Sequence, residues 1–569
     1  MFARSYSPLY LLRAFLLGLA LLAATPAAHA QGTIRRHLIT FRDKAGTPYS
    51  VSQPLQYLAP RAVARRQRQA IAVLPRDLPP TPGYVQQVRA VPGVAVIYRT
   101  RWFNGVIVEC DSSRLRQVQA LPFVRGARTL NRVAAATRAR AETRPARAFD
   151  AQRPTSANPY GIAFAQAEQI GATTMHAAGF RGEGMHVAIF DAGFPGVETI
   201  PAFRLLFQQN RLLSTFDAVR GGTSVYDLHP HGTMVLSTMA ANQPNSFIGT
   251  APMASYHLIR TEDTRGGTET PAEEAYWLIG AEYADSAGVD VINSSLGYHD
   301  FDAPAASYTY ADMDGNTALS TRAADLACAV GILVVNSAGN DGDNSWRYVS
   351  APADADSVLT VGAVDSLGRR AGFSSQGPTA DGRIKPNVST QGAQSAIIYP
   401  DGNISRGSGT SFAGPIMAGM AVGFWQANPT LTAQQVRRFL ELSGSIAANP
   451  NNFLGYGIPN FRRAYNLANP NNPLGLPAAE GRSVPELYPN PVPGAAFALR
   501  LPARLIGQEL TVQLTDAAGR VISEQLVKTV AGTDSVVITT DKNQLQAGLY
   551  LCLLRAASGE QHTLRFLKN

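Results

Sequence analysis

Between residues 158 and 467, short apolar runs alternate with stretches of helical character. The runs 185–190 (MHVAIF), 257–260 (HLIR), 289–293 (VDVIN), 332–336 (ILVVN) and 358–362 (VLTVG) predict strands buried on both faces. Residues 270–287 and 317–329 between them predict helices. This alternation predicts an α/β unit with a central, mostly parallel sheet flanked by helices. Residues 31–135 carry a different pattern. Strands are expected at 37–41, 94–98, 104–110 and 126–130, a basic helical stretch at 53–69, and a helix at 112–120 capped by Ser112 or Ser113. That order predicts a small α+β domain. From 485 to 569 the alternation has period two, with strands expected at 497–501, 509–515, 521–526, 535–539, 548–555 and 562–567. Turn residues such as Asp516-Ala-Ala-Gly separate them, which predicts a small β-sandwich. The Ala/Arg/Thr/Pro-rich segment 136–157 and the Asn/Pro/Gly-rich segment 468–484 lack apolar periodicity and read as linkers.

Composition adds a division of charge. At 569 residues the chain is long enough for several domains. Its net charge of +9 suggests a nucleic-acid partner only until it is mapped. Residues 1–150 hold 23 Lys and Arg against 6 Asp and Glu, whereas the remainder holds 27 against 35. The basic character belongs to the N-terminal quarter, and no nucleic-acid partner is expected. Arg4 and Arg13, an apolar run over 14–24 and the small-x-small sequence Ala28-His29-Ala30 predict a signal peptide over 1–30, cut before Gln31. The mature protein is therefore expected outside the cytoplasm. Cys110, Cys328 and Cys552 lie one to each third of the chain and form neither a disulfide framework nor a metal spacing.

Reactive groups in such sheets gather at the carboxyl ends of strands. Asp191 follows the strand 185–190, His231 precedes Gly232-Thr233 at the start of an apolar helix, and Asn340 closes Asn336-Ser-Ala-Gly-Asn. Ser411, in Gly409-Thr-Ser-Phe-Ala, opens a helix, where unpaired N–H groups and the dipole favour developing negative charge. Acyl transfer asks for these types together. A hydroxyl needs a base that titrates near neutrality, the base needs a carboxylate to fix its tautomer, and the oxyanion needs preorganised donors. Singly, each has an ordinary reading as a cap, turn or surface residue. Asp227, His229 and His231 are of metal-ligand type, but nothing supplies a further well-spaced ligand, and no metal is assigned.

The order Asp, His, Ser is the subtilisin order of this triad. With Asp191-Ala-Gly, His231-Gly-Thr, Ser337-Ala-Gly-Asn340 and Gly409-Thr-Ser-Phe-Ala in sequence, residues 158–467 resemble the subtilisin-like serine peptidases, the subtilases. The resemblance implies a secreted serine endopeptidase with Asp191, His231 and Ser411 as triad, Asn340 at the oxyanion, and no catalytic cofactor. It also implies a substrate cleft in which Ser295, Leu296 and Gly297 line the S1 pocket, Gly267 lies on the opposite edge strand, and Ser350 falls near the S1 floor. Ala192 stands where the family has Ser or Thr, and Pro230 before the histidine is atypical. Neither change deletes a catalytic group. The absence of a Gly-x-Ser-x-Gly elbow disfavours a lipase, and the presence of all four groups disfavours a binding module that has lost catalysis.

The same resemblance implies that 31–135 is an inhibitor-like prosegment, removed by a cut within the linker. Its charge is complementary to that of residues 151–469, where 18 Lys and Arg face 27 Asp and Glu. Structural calcium is common in the family. The best calcium-like loop here, 308–316 with Asp312 and Asp314, lacks the spacing of an EF-hand, and no ligands are assigned. Pro489-Asn-Pro, Gly548-Leu-Tyr and the terminal Lys568-Asn569 resemble the C-terminal sorting domain of type IX secretion in Bacteroidetes. The implied partners are polypeptide substrates, the chain's own prosegment and the type IX machinery at the outer membrane.

Overall fold

The structure is a computed structural model that describes residues 33–130, 158–265, 267–303, 305–474, 484–529, 535–540 and 545–568. The expected signal peptide, the whole of the first linker and part of the second lie outside these residues.

The middle of the chain forms a seven-stranded sheet. Its order runs Val388–Gln391, Leu359–Val364, Leu333–Ser337, Val291–Ser294, His186–Asp191, Ser255–Arg260 and Leu212–Asp217, with every described pairing parallel. Alternate side chains along each strand enter two different cores. Val187, Ile189, Val291, Leu333 and Val335 face one, together with the helices His231–Ala240 and Thr410–Ala427. Ala188, Phe190, Ile292, Ile332 and Val334 face the other, together with Ala272–Ala287 and Leu319–Ala329. Burial on both faces explains why these strands read as continuous apolar runs.

The helix Thr410–Ala427 is buried from Thr410 to Trp425 and apolar all round, as a helix in the centre of a domain must be. Its small residues let neighbouring backbone approach closely. A Cβ on Gly419 would lie 1.9 Å from Thr250 Oγ1.

Residues 33–130 form a four-stranded antiparallel sheet in the order Ala95–Thr100, Gly105–Cys110, Arg35–Phe41, Val124–Thr129. Period two again splits the side chains. Ile39, Phe41, Val106 and Val108 pack with Val85 and Val88 of the helix Pro82–Ala90, while Leu38 and Ile107 join the second core of the middle domain. One face of this sheet is therefore completed by the helices of its neighbour. Two expectations are corrected. The helix Ser112–Gln119 is capped by Asp111, whose carboxylate accepts from the Ser113 and Arg114 N–H groups at 2.7 and 2.9 Å. A carboxylate one residue earlier reaches these N–H groups, so the serines fall inside the helix. The basic stretch 53–69 divides into a single turn, Pro54–Gln56, and the helix Pro60–Arg68, because each proline suits a first helical position and not an interior one.

At the C-terminus a three-stranded sheet and a four-stranded sheet enclose a core that includes Phe497, Leu499, Val512, Leu514, Cys552 and Phe566, as expected of a sandwich. Arg500 ties it to the middle domain. Its guanidinium pairs with Glu168 and lies 5.2 Å from the ring centres of both Phe164 and Tyr488. All three cysteines are free and buried.

Gly419→Ala is expected to cost about 1–3 kcal/mol through overpacking against Thr250 and to lower the melting temperature by several degrees. Differential scanning calorimetry checks this; an unchanged transition would mean that the helix can move away from Thr250.

Candidate active site

Asp191 is the last residue of the strand His186–Asp191, held between neighbours on both sides, and its side chain is wholly buried. Oδ1 accepts from the Ala192 N–H at 2.8 Å, and His231 Nδ1 lies 2.9 and 3.0 Å from the two carboxylate oxygens. His231 opens the helix His231–Ala240. The helix comes this close because residue 232 is glycine. A Cβ there would meet Gly193 O at 2.4 Å and the Asp191 Cβ at 2.9 Å. Thr233 Oγ1 donates to Pro195 O at 2.7 Å and fixes the same turn. Burial lowers the His231 pKa, but the charge and hydrogen bond of Asp191 outweigh it and leave the ring above the ordinary histidine value.

Ser411 lies in the first turn of Thr410–Ala427. Its Oγ donates to Ser295 O at 3.5 Å, a long bond at the limit of hydrogen-bonding distance. The backbone contact beside it is firmer. Pro415 has no N–H, so the Ser411 carbonyl loses its partner four residues on, and Ser295 Oγ donates to it at 2.9 Å instead. Asn340 is anchored from the other side. Its Oδ1 accepts from Thr410 N at 2.8 Å and from Thr410 Oγ1 at 3.0 Å, while Thr410 Oγ1 accepts from Gly339 N at 3.2 Å. With Oδ1 so engaged, the Asn340 Nδ2 hydrogens remain for an acceptor beside Ser411.

The residues expected in the cleft fall on two segments. Ser295 is buried, Leu296 half-buried and Gly297 exposed, and the Leu296 carbonyl accepts from Asn336 Nδ2 at 3.0 Å. Ser350 is buried under Gly297, where an added Cβ would lie 3.3 Å from the Ser350 Cβ. The backbones of Tyr298 and Ala351 hold the two segments together through bonds of 2.7 and 3.2 Å. Ser350 Oγ lies 3.1 Å from His299 Nδ1. Gly267 departs from expectation. It sits in an exposed connection with φ of +59° and is not part of a strand, since this left-handed conformation breaks extended pairing. Gly266 lies outside the described residues.

The calcium-like loop uses its carboxylates locally. Asp312 Oδ2 accepts from Thr309 N and Oγ1, each at 2.7 Å, and Asp314 Oδ1 accepts from Asn316 N and Thr317 N, each at 2.8 Å. Elsewhere Glu262, Glu269 and Glu273 bring one oxygen each within 4.8 Å of one another, a convergence the sequence spacing did not reveal. Burial raises the Glu262 pKa to about 8, and Tyr298 OH donates to it at 2.6 Å. Burial raises Glu273 as well.

A hydroxyl at a helix start, an imidazole held by a buried carboxylate and an oriented amide, all at the carboxyl ends of a parallel sheet, are the elements of an α/β serine hydrolase. Comparison with known proteins narrows the class. Residues 182–457 match the subtilase family, Peptidase S8; residues 36–145 match the Peptidase S8 propeptide domain of Bacteroidota; residues 486–569 match the secretion system C-terminal sorting domain. Subtilisin E of Bacillus subtilis (strain 168) is 34% identical over 309 residues, covering 54% of this chain and 71% of that protein. Subtilisin DY of Bacillus licheniformis is 34% identical over 301 residues, covering 52% and 94%. A thermostable alkaline protease of Halalkalibacterium halodurans is 29% identical over 307 residues, covering 54% and 73%. The chain belongs to the subtilase family and is a subtilisin-like serine endopeptidase made with a propeptide. The sorting domain indicates export, to the cell surface or beyond. Among the described residues no helix is long and apolar enough to cross a membrane.

The raised His231 pKa carries a definite pH sign. The His231–Asp191 pair stabilises the fold fully below the unfolded histidine value of about 6.5, and this contribution is lost as pH rises through the folded value. Asp191→Asn leaves burial as the main influence, so the ring is expected to titrate below the ordinary value. NMR titration of the imidazole checks this, and an unchanged midpoint would show that Asp191 does not set it.

Proposed function

We propose that Ser411 is the nucleophile of a secreted endopeptidase that cuts polypeptides through an acyl-enzyme intermediate. The observation that carries this reading is the bifurcated His231–Asp191 contact, which points the imidazole's other nitrogen away from the buried carboxylate. In the reaction His231 takes the proton from Ser411 Oγ as that oxygen bonds to the substrate carbonyl carbon. The long hydrogen bond to Ser295 O is given up at this step. Asn340 Nδ2 and the Ser411 N–H donate to the oxyanion, and Asp191 stabilises the imidazolium. His231 then gives its proton to the leaving amine, and water repeats the sequence to free the acid. Ser295, Leu296, Gly297 and Ser350 form one wall of the substrate cleft, with the exposed connection that carries Gly267, and not a strand, on the facing side.

The three matched regions favour a division into a prosegment over 31–135, a peptidase domain over 158–467 and a sorting domain over 485–569, with the signal peptide over 1–30 resting on its sequence pattern alone. The prosegment is the enzyme's own first partner, removed by a cut within 136–157. The sorting domain engages the type IX machinery at the outer membrane.

Ser411→Ala is expected to abolish peptidase activity and to leave the N-terminal domain attached, read by peptide hydrolysis and by the mass of the purified chain. Continued self-cutting would remove Ser411 from the role. Asn340→Ala is expected to lower kcat by about 10²–10³, the size known for loss of this donor in subtilisin, with a smaller effect on KM. An unchanged kcat would place the oxyanion elsewhere.

A further inference from the structure

Tyr298 follows Gly297 of the candidate cleft wall, and its ring is buried in the same core as the helix Ala272–Ala287. Its backbone exchanges two hydrogen bonds with Ala351, at 2.7 and 3.2 Å, and its hydroxyl donates to Glu262 Oε1 at 2.6 Å. Glu262 is buried and lies two residues beyond the strand Ser255–Arg260, the neighbour of the strand that ends at Asp191. Thr261 N donates to Asp191 O at 3.0 Å, and Thr261 Oγ1 donates to the same Glu262 oxygen at 3.0 Å. Tyr298 is thereby tied to the strand ends that carry Asp191. Past Glu262 the chain enters the exposed connection that carries Gly267. Glu273, in the first turn of Ala272–Ala287, pins both ends of this connection by accepting from Asp263 N at 3.0 Å and from Thr270 N at 3.1 Å. A further link crosses to the continuation of the cleft wall. Glu269 N donates to Asp302 Oδ2 at 2.7 Å, and Asp302 N donates to Glu269 O at 2.9 Å.

Among the described residues, neither the Gly267 connection nor the segment 295–302 lies in a helix or an extended strand, so regular pairing does not fix their spacing. A hydrogen bond between two buried side chains can, because breaking it leaves the hydroxyl unsatisfied away from water. We propose that Tyr298 and Glu262 are positioning residues: their bond sets the spacing of the two sides of the substrate cleft, and with it the binding of peptides long enough to touch both. This rests on the reading of Ser295, Leu296 and Gly297 as one side of that cleft and of the Gly267 connection as the other. A cleft already held at its working width binds a peptide without an ordering cost, so loss of the bond acts on KM. Ser411 and Asn340 are held through Ser295 Oγ, Thr410 and the buried helix Thr410–Ala427, and kcat is therefore expected to change little.

The test compares a peptide of several residues with a single-residue ester that is too short to reach both sides, using the full chain as it processes itself. Tyr298→Phe removes only the hydroxyl. It is expected to raise KM for the peptide about 5- to 30-fold, with kcat within about twofold. The ester is expected to keep its KM within about twofold. Glu262→Gln retains an acceptor for the Tyr298 hydroxyl and is expected to limit the rise in KM to about threefold. Tyr256→Phe removes an equally buried hydroxyl at the amino end of the strand Ser255–Arg260, where it donates to Ala251 O at 2.7 Å. That change is expected to lower stability and leave KM alone. A peptide KM within about twofold of the unsubstituted value in Tyr298→Phe, or an equal rise for the ester or from Tyr256→Phe, overturns the proposal. Amide hydrogen exchange on the full chain carrying Ser411→Ala gives a second readout that needs no turnover. Tyr298→Phe is expected to speed exchange around Glu262, Glu269 and Tyr298, and Tyr256→Phe to leave it unchanged there. Unchanged exchange around all three in Tyr298→Phe likewise overturns the proposal. A wild-type chain that hydrolyses no peptide would count against the catalytic reading, and exchange would still decide whether the bond holds the two segments.

Discussion

The start of the helix Thr410–Ala427 is the constraint on which the site depends. The helix is buried along its length, and Gly419 brings it against Thr250 with no room for a methyl group. Its axial position is therefore fixed by packing, and Ser411 inherits that position. Pro415 then leaves the Ser411 carbonyl without its helical donor, and Ser295 supplies one. Thr410 is held by Asn340 on the opposite side. The candidate nucleophile, the candidate cleft segment and the candidate oxyanion amide are thus joined through the backbone of two residues. Interiors are close-packed, so a shift in one of these groups is carried to the others.

A parallel sheet has two unlike ends, and this chain uses both. At the carboxyl ends, strand termini and the starts of two helices collect Asp191, His231 and Ser411. At the amino ends, the terminations of Ala272–Ala287 and Leu319–Ala329 present carbonyls together with Asp285 and Asp290. The excess of arginine in the N-terminal quarter has its counterpart there. Charge complementarity inferred from composition thus becomes a set of named pairs, and the buried ones are those around Asp285.

Much of this was legible in the sequence because burial leaves a simple pattern. Runs such as 332–336 and 358–362 can be read as strands since both faces are covered. The four blocks that carry the family resemblance could be read because their chemistry and order are distinctive. Leu212–Asp217 was not foreseen, since as an edge strand it mixes Ser, Thr and Asp with apolar groups that are half-buried or, at Leu213, exposed. Pro82–Ala90 was missed because its opening Pro-Gly reads as a turn, although proline suits a first helical turn. Asp111 displaced the expected serine caps by reaching the same N–H groups from one residue earlier. The meeting of Arg65 with Asp285, 220 residues away, and of Glu262 with Tyr298 depends on tertiary placement that no local pattern encodes.

Ala192 shows how a departure from the family pattern can leave the site electrostatically complete. Subtilases place Ser or Thr after the aspartate, and a hydroxyl there would offer the carboxylate one more donor. Here Oδ1 already takes the Ala192 N–H, and both oxygens lie within 3.0 Å of His231 Nδ1. Ala192 is buried, and Gly232 brings the next helix against the Asp191 Cβ. In so enclosed a pocket a charge is tolerated only when its partners are well placed. The histidine meets that condition by lying against the carboxylate, and the same contact holds its ring above the ordinary histidine pKa. The missing hydroxyl therefore makes Asp191 more dependent on His231, and the pair, more than either residue, becomes the unit that the surrounding glycines are arranged to hold.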